Sequence, residues 1–128
     1  MNHDDYAPGQ HLLIDFWGAQ QPTAIEQVDT LLCNAASACG ATVLDIRLHG
    51  FGEGGGITGV AILAESHISL HTWPERDFIA LDIFLCGGRD AMPALEWLKN
   101  QLKPERVSVS THLRGAGGIS RPRIAVPG

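Results

Sequence analysis

Between residues 59 and 85 the chain carries three short apolar-patterned runs, GVAILA, HISLHT and FIALDIFL, separated by only a few residues each. That spacing constrains the fold more than anything else in the sequence. A parallel crossover needs a dozen or more connecting residues, so strands this close together must pair antiparallel. The sequence predicts strands over 59–64, 67–72 and 78–85, the last two joined by a turn at Trp73-Pro74-Glu75.

The flanks extend the pattern. HLLIDFW at 11–17 reads as a strand, and Pro22-Thr23 as a helix entrance. Ile25, Val28, Leu31, Leu32, Ala35, Ala36 and Cys39 share one helical face, with Gly40 as the C-terminal cap. Residues 42–49 alternate, Leu44, Ile46 and Leu48 against Asp45, Arg47 and His49, as in a half-buried strand. The glycine-rich stretch 50–56 lacks the strand-to-helix context and the GK[ST] of a phosphate loop. Asp90 caps a second helix to Leu102, with Pro93 in its first turn and Pro104 beyond its end. A last alternating strand spans 106–113 before a loose tail. The order β-α-β-β-β-β-α-β predicts a single α+β domain over 1–128, a two-layer sandwich of mainly antiparallel sheet backed by two helices.

Composition narrows the function. At 45% hydrophobic and 18% charged residues, 128 residues suffice for one core. A net charge of −5 with scattered basic residues argues against a nucleic-acid partner. No apolar run reaches the roughly 18 residues of a membrane span, and MNHDDYAPGQ lacks a signal-peptide pattern, so the cytoplasm is the expected location. Cys33, Cys39 and Cys86 show neither disulfide nor zinc-knuckle spacing.

The polar residues gather in Glu65-Ser66-His67-Ile68-Ser69-Leu70-His71-Thr72-Trp73-Pro74-Glu75, between runs that should form the middle of the sheet. Two histidines, two serines and two glutamates there need partners or a purpose. Spacing alone leaves His67 and His71 open between packed histidines and a metal pair, and Cys86 between packing and chemistry.

AESHISLHTWPE followed by ALDIFLCG closely resembles the signature of the short prokaryotic S-adenosylmethionine decarboxylases. The likeness runs from GQHLLIDFWG to RVSVSTHLRG. It implies self-cleavage between Glu65 and Ser66 into 1–65 and 66–128, with Ser66 becoming a covalent pyruvoyl cofactor, and no metal. By position it makes His71 the processing base, Cys86 the catalytic acid and Thr58 the residue assisting processing. Trp73, Glu75 and, with one residue inserted in the glycine loop, Phe51 match the substrate-binding positions. The family also implies a homodimer or higher homo-oligomer with the site near the subunit interface.

The chemistry suits these residue types. A serine hydroxyl turns the preceding amide into an ester, a hydroxyl donor steadies the oxyanion, and imidazole removes the α-hydrogen so that the ester leaves. The pyruvoyl group is an electron sink. Two alternatives stay open: the same machinery acting on arginine or ornithine, with Glu75 or Glu53 facing the substrate, and a non-cleaving regulatory homologue holding a metal on His67, His71 and His112.

Overall fold

The computed structural model describes residues 8–117. Its elements are β1 (Gly9–Trp17), α1 (Ile25–Ala38), β2 (Val43–Gly50), β3 (Ile57–Leu63), β4 (Ser66–Trp73), β5 (Phe78–Cys86), α2 (Met92–Leu102) and β6 (Arg106–Arg114). The strands form one sheet in the order β2-β3-β4-β5-β1-β6, antiparallel at every pairing. The two-residue connection between β3 and β4 leaves no other option. The expected α+β architecture is the one observed. Residues 1–7, with most of the N-terminal segment, and the tail beyond 117 lie outside the described residues.

Alternation decides what each face of the sheet does. Leu12, Ile14 and Phe16 of β1, Ala61 and Leu63 of β3, Ile68 and Leu70 of β4, and Ile79, Leu81, Ile83 and Leu85 of β5 join one buried cluster with α1 and α2. The helices pack on each other and α1 lies over β2, β3 and β4, so one face is covered. The opposite face carries His67, Ser69, His71 and Trp73 of β4 and Phe78, Asp82, Phe84 and Cys86 of β5 with no layer above it. Among the described residues no helix is long and apolar enough to cross a membrane.

Local chemistry accounts for the helix ends. The Gln27 side-chain carbonyl accepts the backbone N–H of Thr23 at 2.6 Å and of Ala24 at 3.0 Å, closing the start of α1. At its end Gly40 N–H donates to Ser37 and Ala41 N–H to Ala36, with Gly40 at φ +71°, a Schellman ending of the kind the sequence predicts. The N-cap of α2 is Ala91 and not the expected Asp90, whose carboxylate accepts Met92 N–H at 3.0 Å from one position further out. One expectation fails: Leu44 does not share the packed face of β2. A register shift between Val43 and Asp45 leaves it 65% exposed, while Ile46 and Leu48 pack as expected.

The glycine loop is tied to β4. Thr72, buried at 5% exposure, accepts Ile57 N–H on its hydroxyl at 2.8 Å. A methyl group at Gly56 would run into the Thr72 backbone carbonyl, which cannot swing away as a side chain would. Gly56→Ala is therefore expected to lower stability by about 1–3 kcal/mol, read as a shift of the urea midpoint. An unchanged midpoint would show that the loop has room to give.

Candidate active site

The residues singled out in the sequence fall into two groups at opposite ends of β4. Ser66 opens the strand, and His71 lies five residues on, roughly 16 Å along it at about 3.3 Å per residue. Within one copy of the chain, His71 does not reach residue 66.

At the first end, Glu65 sits in the two-residue turn at φ +63°, a left-handed conformation that costs a non-glycine residue roughly 1–3 kcal/mol. The Glu65–Ser66 peptide bond follows directly. Cys86, last in β5, meets both halves of that bond. Its N–H donates to Ser66 Oγ at 3.2 Å, and its thiol stands 2.5 Å from the Glu65 carbonyl oxygen. A carbonyl that accepts a donor is easier to attack, and an Oγ that accepts a backbone N–H is held in place beside it.

At the second end, Thr58 of β3 pairs directly with His71 of β4, and its hydroxyl lies 3.1 Å from His71 Nδ1. Phe51, Gly55, Gly56, Trp73 and Glu75 join them around a cavity of about 340 Å³. Trp73 stacks on Phe78 at 5.5 Å, Phe78 on Trp17 at 5.6 Å, and the Arg106 guanidinium lies over Trp17 at 3.9 Å. Trp73 is thus held from one side by an aromatic row and remains 39% exposed on the other. Phe51 stands edge-on to His49 at 4.6 Å, and Glu75 is exposed in the short 3-10 turn after β4. This end provides an aromatic surface, a carboxylate and a hydroxyl-imidazole pair.

A family model described as S-adenosylmethionine decarboxylase matches residues 10–115. The chain belongs to the S-adenosylmethionine decarboxylase family. It is 42% identical over 113 residues to an S-adenosylmethionine decarboxylase proenzyme of Methanococcus vannielii, covering 84% of this chain and 89% of the relative. The proenzyme of Thermomicrobium roseum is 34% identical over 108 residues, covering 84% and 93%. Among solved structures, the adenosylmethionine decarboxylase of Aquifex aeolicus superposes with a TM-score of 0.77 at 31% identity, over 94% of this chain and 98% of that one.

This S-adenosylmethionine decarboxylase family member also carries a polar group that the sequence reading missed. His11 Nε2 lies 2.6 Å and His67 Nε2 3.1 Å from Asp82 Oδ2, and the Ser69 hydroxyl donates to Asp82 Oδ1. The histidine trio suggested for a metal is not assembled. His67 and His71 are four residues apart on one strand, and His112 pairs with His11 on the far side of β5. The signal for the real cluster was Asp82 itself, one charge inside the apolar run FIALDIFL.

Burial pushes the Asp82 carboxyl up, but the hydrogen bonds from Ser69, His11 and His67, with the His67 charge, outweigh it and hold Asp82 below the ordinary carboxylate range. A depressed folded-state pKa adds stability that is present above the unfolded value and is lost as pH falls through the folded one. Asp82→Asn is therefore expected to destabilise the protein at pH 7, with the difference from wild type shrinking as pH falls below about 4. Urea unfolding at pH 7 and pH 3 checks this. An equal difference at both would mean that the carboxylate charge contributes nothing.

Proposed function

We propose that this chain is a proenzyme that cleaves itself between Glu65 and Ser66 and then decarboxylates S-adenosylmethionine, supplying the aminopropyl donor for spermidine synthesis. The observation that carries the reading is Cys86, which touches the Glu65 carbonyl oxygen and the Ser66 hydroxyl together. Ser66 Oγ attacks the Glu65 carbonyl carbon, the C–N bond breaks, and the new ester leaves a free amine on residue 66. Removal of the α-hydrogen of residue 66 then expels the ester oxygen as the Glu65 carboxylate. Tautomerisation and hydrolysis of the remaining enamine release ammonia and leave a pyruvoyl group.

The base for that elimination comes from a second copy. Two sheets packing through their open faces lie about 10 Å apart, within reach of side chains from both sides. A two-fold axis running between the sheets and across the strands sets the Ser66 end of each copy over the His71 end of the other. The open face supports such packing, with Leu13 at 45% and Ile62 at 44% exposure. His71 of the second copy, held by Thr58, takes the α-proton, and the Thr58 hydroxyl serves the oxyanion. Each homodimer thus holds two sites, each made from both copies.

The pyruvoyl ketone supplies an electrophilic carbon for the substrate amine and a sink for the electrons released with CO₂. Around it, Trp73 and Phe51 offer aromatic faces to adenine and the sulfonium cation, and the Glu75 carboxylate accepts the ribose hydroxyls. The Cys86 thiol delivers the proton to the carbon that lost CO₂. Processed protein should release CO₂ from carboxyl-labelled S-adenosylmethionine and from neither arginine nor ornithine tested alongside. Release from either amino acid alone would leave the machinery standing and remove the named substrate.

A further inference from the structure

The group around Asp82 belongs to neither end of the site, and its role depends on the proposed self-cleavage between Glu65 and Ser66. Arg114 Nη1 stands 3.2 Å from His11 Nδ1. A guanidinium only donates, so Nδ1 accepts, and the His11 proton sits on Nε2, pointing at Asp82. His67 Nε2 donates to the same carboxylate oxygen. The bonds run in one consistent sense, inward to Asp82 from Arg114 through His11 and from His67. A metal on His11 Nε2 would displace that proton and set an Nδ1–H against the Arg114 guanidinium, so the donor pattern disfavours a ligand set.

His67 is also held on its ring face. It stacks on Phe84 at 5.7 Å with the planes 9° apart, and Phe84 lies over Gly9, where any side chain would collide with it. Its neighbour in sequence is Ser66.

Before cleavage the start of β4 is tethered to β3 by the two-residue turn. Cleavage removes that tether and also carries off the Ser66 oxygen, the acceptor of Cys86 N–H, as part of the Glu65 carboxylate. Free strand ends fray unless something holds them. We propose that His67, clamped between Asp82 and Phe84, is a positioning residue that holds the reactive chain end of the mature protein in place. Misplacement of a reacting group by about 1 Å can cost up to roughly 100-fold in rate, so the clamp matters for turnover and not for the cleavage that precedes it.

The test compares His67→Leu, which removes the donor, with His67→Gln, whose side-chain N–H can still reach Asp82. Intact mass reads cleavage, hydrogen exchange reads the amides of residues 66–69, and steady-state kinetics on S-adenosylmethionine read kcat and KM. His67→Leu should cleave as wild type does. Its processed form should exchange those amides roughly tenfold faster and lose about tenfold in kcat, with KM nearly unchanged. His67→Gln should recover most of both. In a Ser66→Ala background, where the tether persists, His67→Leu should leave the exchange unaltered. Asp82→Asn, weakening the clamp from the other side, carries the same expectations for cleavage, kcat and KM and replaces His67→Leu in those readings if that variant is insoluble. Unchanged exchange in the processed variant, an equal rise in the uncleaved background, impaired cleavage, or a Gln variant no better than Leu would each overturn the proposal. Wild-type protein that stays uncleaved by mass fails the cleavage reading first, before any His67 variant is made.

Discussion

Ser66→Ala is expected to remain one chain of 128 residues under denaturing conditions, while wild type separates into pieces of 65 and 63 residues. The variant should release no measurable CO₂ from S-adenosylmethionine. The Glu65 turn keeps its left-handed strain without the serine, and the Cys86 thiol still faces the Glu65 carbonyl oxygen. Neither strain nor polarisation breaks an amide without a nucleophile, and alanine provides none. Mass spectrometry adds a second reading. The wild-type C-terminal piece should be lighter by one ammonia than the encoded peptide, with its N-terminus blocked to amine-directed sequencing. An alanine variant still cut at this bond would mean an external protease. Wild-type protein that decarboxylates while intact would remove Ser66 as the source of the cofactor.

Co-expressing Ser66→Ala with His71→Ala should restore what each lacks alone. If one copy supplies Ser66 and the other His71, a mixed dimer has one site with both residues altered and one with both intact. The intact site should cleave the His71→Ala chain, so about half of the His71→Ala chains mature when equal amounts of the two variants pair at random, against none when that variant is expressed alone. Different tags on the two variants identify which chain is cut. If His71 served Ser66 of its own copy, mixing would rescue nothing, and the five-residue separation along β4 would have to be closed by a large rearrangement. Rescue confined to the Ser66→Ala chain would contradict the arrangement as well.

Much of the fold was legible because period-2 and period-3.6 patterns report directly on burial. The runs that became β3, β4 and β5 and the stripe from Val28 to Ala36 in α1 are found where the sequence predicts them. Leu44 was misread because a bulge shifts parity by one residue, and nothing in VLDIRLH marks where it falls. The insertion of β1 between β5 and β6 was not readable, since strand order depends on long-range pairing that local periodicity does not encode. The same gap hid the Asp82 cluster, whose members come from β1, β4 and β5 and meet only through that order. The division of the site was within reach: residues 66 and 71 are five positions apart, and on one strand that is roughly 16 Å.

Strand order has a further consequence once the Glu65–Ser66 bond is cut. The first piece carries β1, β2 and β3 and the second β4, β5 and β6, but the sheet reads β2-β3-β4-β5-β1-β6, so the pieces alternate across it. Pairings β3 with β4, β5 with β1 and β1 with β6 then join separate molecules, and only β2 with β3 and β4 with β5 stay within one. Apart from the β3–β4 turn and the Cys86 N–H bond to the Ser66 oxygen, the pairings stay in place, so the mature protomer need not come apart. Its refolding, however, becomes a second-order reaction between two partners, neither of which contains a complete sheet, and slows in proportion to dilution. Under the proposed cleavage the precursor folds once as a unimolecular event, and maturation would convert that structure into one whose recovery from denaturation depends on concentration and whose persistence rests on the rate of unfolding.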